Sequence, residues 1–209
     1  MVASLTSKLG RFEFDLHVMK YFSAKMSSSD SQSVISDQPE RMKHPLRDEW
    51  SFWLLLGDKQ NWEDNLVELS NFNTVEDYWC LYHHMKVPSE LRLGQDYMIF
   101  KKGIQPMWED PQNKKGGRWL IMLDRLTNAQ MDAIWADTVL ILIGATLMCT
   151  DDISGVVVNV RDKNKISVWM KTNDPESVLE VGRKLRKQFK IPYKFNYYKH
   201  NTGKAMYSM

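Results

Sequence analysis

The second half of the chain alternates between apolar and polar residues with the period of a β-strand. Over residues 155–161, three valines fall on one side of an extended chain, and the other side is less apolar. Residues 165–171 repeat the pattern, and only residues 162–164 separate the two segments, which predicts a hairpin. The side of the hairpin opposite the valines carries these residues: Val157, Asn159, Arg161, Lys165, Ser167 and Trp169. Further strands are predicted at residues 50–56, 96–101 and 118–123.

Helical periodicity and capping residues predict three amphipathic helices. Thr74 and Asp77 have the spacing of a capping box, and the helix that they start runs to about residue 85. The other two predicted helices run to residue 143 and to about residue 190, with caps at Thr127 or Asn128 and at Asn173 or Asp174. Strands and helices in this proportion predict an α+β fold with helices packed on one face of an antiparallel sheet.

Composition divides the chain into two parts. Residues 27–40 are rich in serine and poor in large apolar side chains, so residues 1–40 are predicted to be a largely disordered N-terminal extension. Residues 41–209 are predicted to form one domain, which is long enough to bury a core.

Charge, apolar runs and cysteines exclude several classes of protein. The net charge of +2 and the pI of about 8.4 are too mild for a non-specific nucleic-acid binder, whose pI is typically above roughly 9. No apolar run approaches the roughly 18 residues of a membrane helix. Cys80 and Cys149 form no C-x-x-C pair and lie in apolar stretches, so we expect reduced thiols and a cytoplasmic protein.

Trp108 and Glu109 are the strongest candidates for ligand chemistry. An indole next to a carboxylate suits a planar, positively charged base that presents N–H donors along one edge. Trp62 lies in a polar stretch, residues 58–63, that is predicted to be a loop. It is interpreted either as a partly buried anchor or as a second stacking surface. Together the two indoles could enclose one base, with stacking worth about 1–3 kcal/mol.

Cations that could hold phosphate lie near the predicted hairpin. Arg161 and Lys165 flank its loop, and Arg118 follows a glycine pair. Guanidinium and ammonium groups both bind phosphate, but the same pattern is typical of a solvated hairpin tip. The outer face of the third helix is also basic and is typical of a solvated face: Arg183, Lys184, Arg186, Lys187 and Lys190.

Two helices have more apolar surface than one core face needs. Val75 and Trp79 widen the apolar arc of the first helix, and residues 139–143, including Leu140, are apolar on all sides of the second. This surface is either extra core or a site for a partner helix.

Several motifs, in this order, resemble the eukaryotic translation initiation factor 4E family, whose members bind the 5′ cap of mRNA. The resemblance covers roughly residues 44–200. The motifs are His44-Pro45-Leu46, Trp50-Ser51-Phe52-Trp53, Thr74-Val75-Glu76-Asp77-Tyr78-Trp79, Gly103-Ile104-Gln105-Pro106-Met107-Trp108-Glu109, Gly116-Gly117-Arg118-Trp119, Leu142-Ile143-Gly144 and Val158-Asn159-Val160-Arg161.

The resemblance implies a curved antiparallel sheet with three long helices on its convex face and a cap-binding slot on the concave face. Trp62 and Trp108 would enclose the 7-methylguanine, Glu109 would accept its N–H groups, and Trp169 would lie near the methyl group. Arg161 and Lys165 would hold the phosphates, with Arg118 assisting. The convex residues that would bind the initiation factor 4G scaffold, or 4E-binding proteins with a Tyr-x-x-x-x-Leu-apolar motif, are His44, Pro45, Leu46, Val75, Trp79, Leu140 and Gly144.

The function implied is recruitment of capped mRNA to the initiation machinery, with no catalysis, metal or cofactor. Ala136 and Ala145 depart from the family pattern near the convex surface, so a cap-binding repressor that recruits a silencing partner is the alternative. An enzyme acting on capped nucleotides would need a catalytic histidine or a metal-binding acid cluster. His83 and His84 are neighbours on a helix and cannot face one ligand together.

Overall fold

A computed structural model describes residues 43–57, 62–123, 125–200 and 202–209, and for Trp62 and Glu63 it describes the backbone alone. The predicted extension, residues 1–40, lies outside the described residues, and its disorder and its boundary stay predictions.

Within the described residues, eight strands form one sheet with the order β2-β1-β3-β5-β6-β4-β7-β8. All neighbouring strands are antiparallel. The strands are β1 Pro45–Leu55, β2 Leu66–Thr74, β3 Asp96–Lys101, β4 Gly117–Met122, β5 Ile153–Asn159, β6 Lys165–Met170, β7 Phe195–Lys199 and β8 Ala205–Ser208. Register shifts interrupt the β1–β2, β5–β6 and β7–β8 pairs. Such irregularities increase the local bend and twist, so they favour a curled sheet.

The three long helices of the described chain are α1 Val75–His84, α2 Asn128–Ile143 and α3 Pro175–Gln188. Each follows a capping residue whose side chain accepts a backbone N–H of the first turn: Thr74, Thr127 and Asp174. For the second and third helices the structure thus selects one of the two predicted candidates. Shorter helices lie at Trp62–Asn65, Pro88–Glu90 and Thr150–Asp152. No helix in the described part is both long and apolar enough to cross a membrane.

The helices cover the face of the sheet that carries Val156 and Val158 of β5. On that face Trp119 and Val156 have no exposed surface. The indole N–H of Trp119 donates to the carbonyl of Val178 in α3 at 2.8 Å, and Gly182 lies directly beneath the same indole. The predicted α+β architecture is therefore confirmed.

The second helix is buried more deeply than an ordinary surface helix. It packs against β1 and β5 and against the short helix Pro88–Glu90. Its buried side chains are Met131, Ile134, Trp135, Thr138, Val139, Ile141, Leu142 and Ile143. Because neighbours cover the helix on several sides, its buried residues form a wide arc, while Gln130 and Asp137 stay exposed.

Candidate ligand-binding cleft and partner surface

The face of the sheet opposite the helices carries an open cleft of about 470 Å³. Strands β3 to β6 form its floor, and the loop between β3 and β4 forms one wall. The pairing of β3 with β5 places the floor residues side by side: Met98 lies opposite Val157, and Asp96 lies opposite Asn159. The lining residues are Asp96, Met98, Pro106, Met107, Trp108, Glu109, Arg118, Val157, Asn159 and Trp169.

The wall that carries Trp108 and Glu109 is a loop fixed by its own hydrogen bonds. The Asp110 carboxylate accepts the backbone N–H groups of Gln105 at 2.9 Å and Gln112 at 2.8 Å. The fully buried Asn113 amide donates to the carbonyl of Gln105 at 3.0 Å and to that of Met107 at 2.9 Å. These bonds fix the loop on both sides of Trp108, which nevertheless stays 50% exposed. An exposed indole on a fixed loop is available for stacking against a ligand.

Asp110 and Asn113 are positioning residues that the motif search did not single out. Their only sequence signal is a short polar side chain in a turn-rich segment, where Asp and Asn commonly bond to nearby backbone. Gly103, at the start of the same loop, has a φ of 84°, a conformation that favours glycine.

Trp169 lies in the floor among other rings. Phe100 contacts it edge-to-face, with ring centroids 5.5 Å apart. The ring of His200 lies against it with centroids 4.2 Å apart. The Arg118 guanidinium carbon is 5.9 Å from the centroid of the indole. Burial lowers the pKa of His200 to about 4, with a smaller contribution from the charge of Arg118, so the imidazole is neutral at physiological pH.

Arg161 and Lys165 do not line the cleft but lie at one end of its floor. Arg161 binds the carboxylate of Asp96 through both terminal nitrogens, at 2.6 Å and 3.1 Å. Asn159 donates to the same carboxylate at 2.8 Å. Burial raises the pKa of Asp96, and the contacts with Arg161 and Asn159 and the charge of Lys165 oppose that shift. Lys165 faces Asn159 across the β5–β6 pair.

Asp96 is thus a cleft residue that fixes one of the predicted phosphate-binding cations. Sequence reasoning missed this role, because Asp96 and Arg161 are 65 positions apart in the chain. Two of the predicted cations, Arg161 and Lys165, lie beside the paired residues Asp96 and Asn159. Arg118 lines the cleft separately, because it pairs with Trp169 toward the other end of β6.

Trp62 differs from its prediction in secondary structure. It begins the single-turn helix Trp62–Asn65 instead of lying in a loop, while residues 58–61 lie outside the described part. The Trp62 side chain is also outside it, so its stacking role stays a prediction.

The opposite face of the domain carries an exposed apolar pair on α1. Val75 is 37% exposed and Trp79 is 38% exposed, although Trp79 makes an edge-to-face contact with Tyr82 at 5.4 Å. On α2, Leu140 is half-buried and Gly144 is exposed. The extra apolar surface predicted for α1 is therefore on the protein surface, and that of α2 is mostly core.

The segment that precedes β1 is attached to the start of α1. The Val75 N–H donates to the His44 carbonyl at 2.9 Å, and the His44 N–H donates to a Glu76 carboxylate oxygen at 2.9 Å. The His44 ring contacts the other oxygen at 2.7 Å. Hydrogen bonding from His44 lowers the pKa of Glu76 to about 2. These contacts bring His44 next to Val75, and its role in a partner surface stays a prediction.

Two further groups of residues bear on the sequence predictions. His83 and His84 are exposed, and the His84 ring donates to the Cys80 carbonyl at 2.6 Å. Cys80 and Cys149 are free thiols. No cluster of three or more His, Cys, Asp or Glu in the described ranges could hold a metal ion.

The chain is similar in sequence to known proteins. The family model described as eukaryotic initiation factor 4E matches residues 45–208. Eukaryotic translation initiation factor 4E1 of Drosophila melanogaster is 48% identical over 152 residues, which are 71% of this chain and 59% of that protein. The chain thus spans less than two thirds of the length of this relative.

Two solved structures have a similar fold. Ascaris suum eIF4E-3 in complex with an m2,2,7G cap has a TM-score of 0.77 at 39% identity, covering 80% of this chain and 99% of the other. C. elegans eIF4E-3 in complex with the 4E-binding protein Mextli has a TM-score of 0.77 at 35% identity, covering 80% and 100%.

Proposed function

The chain belongs to the eukaryotic initiation factor 4E family, a family of non-catalytic translation factors, and we propose that its cleft binds the 7-methylguanosine 5′ cap of mRNA. One observation carries this proposal: Trp108, half exposed, stands beside Glu109 at a cleft whose floor holds Trp169 and Arg118.

The aromatic and acidic groups of the cleft explain selection for a methylated guanine. Methylation at a ring nitrogen gives the base a positive charge, which strengthens its attraction to the electron-rich face of Trp108. Glu109 accepts the two N–H groups on one edge of guanine, which adenine does not present in the same arrangement. Trp62 would cover the second face of the base, and Trp169 would lie near the methyl group.

Three cations in and beside the cleft would bind the phosphate bridge of the cap. Arg118 reaches into the cleft, and Arg161 is held in place by Asp96. Lys165 adds a charge beside Asn159. A guanidinium that is already fixed loses less conformational entropy when phosphate binds.

A salt titration separates the base contacts from the phosphate contacts. Glu109→Gln leaves part of the base edge unpaired, so its loss of 7-methyl-GTP affinity should persist at high salt. Arg161→Gln removes a charge that salt screens, so its loss should shrink as salt rises. Equal losses for both variants at every ionic strength would contradict the proposed roles.

The convex surface would recruit the capped mRNA to the initiation machinery through the initiation factor 4G scaffold. Its exposed residues Val75 and Trp79 suit the apolar side of a partner helix. His44, Pro45, Leu46, Leu140 and Gly144 would complete the contact, and 4E-binding proteins with the Tyr-x-x-x-x-Leu-apolar motif would compete for it.

A cap-binding repressor is the second candidate function. Ala145 lies directly after Gly144 with a φ of 49°. The family resemblance implies an acid at this position, so contacts with the scaffold would differ here. Mextli, a 4E-binding protein, is the partner in the C. elegans complex. Competition between a scaffold peptide and a repressor peptide for the purified protein distinguishes the two functions. If the protein recruits mRNA through the scaffold, the scaffold peptide should displace the repressor peptide at comparable concentration.

The location of the protein in the cell follows from the same proposal. Recruitment of mRNA to the initiation machinery requires a cytoplasmic location, which fractionation tests.

Residues 41–209 would bind the cap without residues 1–40. Deletion of residues 1–40 should therefore leave the affinity for 7-methyl-GTP unchanged, and a marked loss would show that the extension takes part in cap binding.

A further inference from the structure

A run of basic residues leads to the end of the sheet where the proposed phosphate site lies. From 181 to 194 the chain contains no acidic residue and six basic ones: Arg183, Lys184, Arg186, Lys187, Lys190 and Lys194. Arg186 departs from the predicted solvated face, because its guanidinium donates to the carbonyls of Ile191 and Tyr193 and lies over the ring of Phe195. Lys187, Lys190 and Lys194 are exposed.

Strand register places these lysines at the end of the sheet where Arg161 and Lys165 lie, on the side of α3, which packs on the face opposite the cleft. Lys165 pairs with Met122, and Ile121 pairs with Phe195, so the starts of β6 and β7 lie at the same end of the sheet. Helix α3 begins after the far end of β6 and runs back toward this end, where Arg186 contacts Phe195. Lys163, in the β5–β6 connection, and Arg125, after β4, are exposed at the same end.

We propose that this basic end, formed by Arg125, Lys163, Lys187, Lys190 and Lys194, binds the phosphates of the RNA chain that follows the cap. The proposal rests on the proposed cap-binding function. An RNA chain leaving Arg161 and Lys165 at the edge of the cleft meets the exposed cations at that end of the sheet. Contacts of this kind bind the nucleic-acid backbone through cations and need no base-reading groups. They would add to cap binding, since the net charge of +2 is too mild for general nucleic-acid binding.

The character of the surface favours RNA over an acidic peptide. Peptide sites usually include apolar or aromatic anchors, and none of the large exposed apolar residues of the described part falls within residues 181–194. Lys190 has a φ of 25° because it follows Phe189, the C-cap of α3, where a left-handed residue commonly ends a helix.

The test compares 7-methyl-GTP with an unstructured capped 12-mer RNA, using the full chain and anisotropy at several salt concentrations. The wild type should bind the capped RNA more tightly than 7-methyl-GTP at low salt, and the advantage should shrink as salt rises. The triple variant Lys187→Glu/Lys190→Glu/Lys194→Glu should bind 7-methyl-GTP within about twofold of the wild type. Its affinity for capped RNA should fall roughly tenfold, and its salt slope should fall by about 2, since each single-strand phosphate contact contributes about 0.7.

A matched control lies at the opposite end of the same sheet. Lys114→Glu/Lys115→Glu changes two exposed lysines just before β4 and should leave the advantage of capped RNA intact. An equal loss in this control, or no loss in the triple variant, would overturn the proposal.

A 12-mer with a 5′ triphosphate in place of the cap separates the two proposals. If the wild type fails to bind 7-methyl-GTP, the cap-binding proposal fails. In that case the proposed RNA-binding surface is still supported if the triple variant binds the uncapped 12-mer more weakly and the control variant does not. It is contradicted if both variants bind that RNA as tightly as the wild type does.

Discussion

The imidazole of His200 packs against the indole of Trp169, with ring centroids 4.2 Å apart, and thereby joins the segment after β7 to the floor of the cleft. Both ring nitrogens of His200 are buried and have no hydrogen-bond partner among the described residues. Burial and the nearby charge of Arg118 keep this histidine neutral. An uncharged ring behind Trp169 supports the indole without adding a second cation beside Arg118.

This contact predicts a loss of stability in mild acid. The pKa of His200 is about 4 in the folded protein and about 6.5 in an unfolded chain. Between these values the unfolded state binds more protons, so the free energy of unfolding falls as pH drops from about 6.5 toward 4. His200→Phe keeps a ring against Trp169 and removes the titration. Urea unfolding should show that the wild type loses on the order of 2 kcal/mol more than His200→Phe between pH 7 and pH 4.5. Parallel pH profiles for the two proteins would show that His200 does not control this loss.

Asn113 should govern the order of the Trp108 loop. Asn113→Ala leaves the carbonyls of Gln105 and Met107 without their donor, which should lower the free energy of unfolding by about 1–3 kcal/mol. The affinity for 7-methyl-GTP should fall as well, because Trp108 and Glu109 lose their fixed position. Calorimetry and a ligand titration measure the two effects. The neighbouring exposed Gln112 contributes its backbone N–H to the loop, so Gln112→Ala should be neutral in both, and a comparable loss there would contradict a specific role for Asn113.

Some strands and helices could be predicted from the sequence and others could not, for physical reasons. The bounds of strand β3 were predicted correctly, because its centre is a short apolar run. The start of helix α2 was predicted to within one residue, because Thr127 and Asn128 are both capping residues. Strand β2 lies at a sheet edge, and β8 at the other edge has four residues, so neither carries a clear period of two. Strand β7 was also missed, because five residues are too few to establish alternation.

The candidate site was predictable where chemistry is local in the sequence. Trp108 and Glu109 are adjacent in the chain and lie together in the cleft, with Arg118 and Trp169. The supports of the site were not predictable, because they depend on contacts between distant residues. Asp96 reaches Arg161 only through the β3–β5 pairing, and His200 reaches Trp169 only after β7 joins β4.

Gly182 should be required for α3 to pack on the sheet. A Cβ atom here would stand 2.3 Å from the Trp119 ring, and Trp119 is fully buried. Gly182→Ala should therefore destabilise the protein by about 1–3 kcal/mol, although alanine normally stabilises a helix interior by roughly 1 kcal/mol relative to glycine. Chemical denaturation measures the change. Gly203→Ala is the matched control, since a Cβ at that position meets nothing within 4 Å; equal stabilities for the two variants would mean that the packing tolerates the extra atom.

Trp79 should separate partner binding from cap binding. Because Trp79 is 38% exposed and lies on α1, away from the cleft, Trp79→Ala should abolish binding of a Tyr-x-x-x-x-Leu-apolar peptide. The affinity for 7-methyl-GTP should stay within about twofold of the wild type, a change of less than 0.5 kcal/mol. Peptide pull-down and ligand titration on the same preparation provide both values. Loss of both activities would instead identify Trp79 as a core residue.

Titration of the purified protein with 7-methyl-GTP and with GTP, followed by tryptophan fluorescence, tests the central claim most directly. A charged base stacked on Trp108 and bonded to Glu109 should quench the fluorescence strongly, whereas GTP lacks the positive charge and should bind at least tenfold more weakly, a difference of at least about 1.4 kcal/mol. Equal responses to the two nucleotides, or no response to either, would contradict the proposal that this cleft recognises the methylated cap.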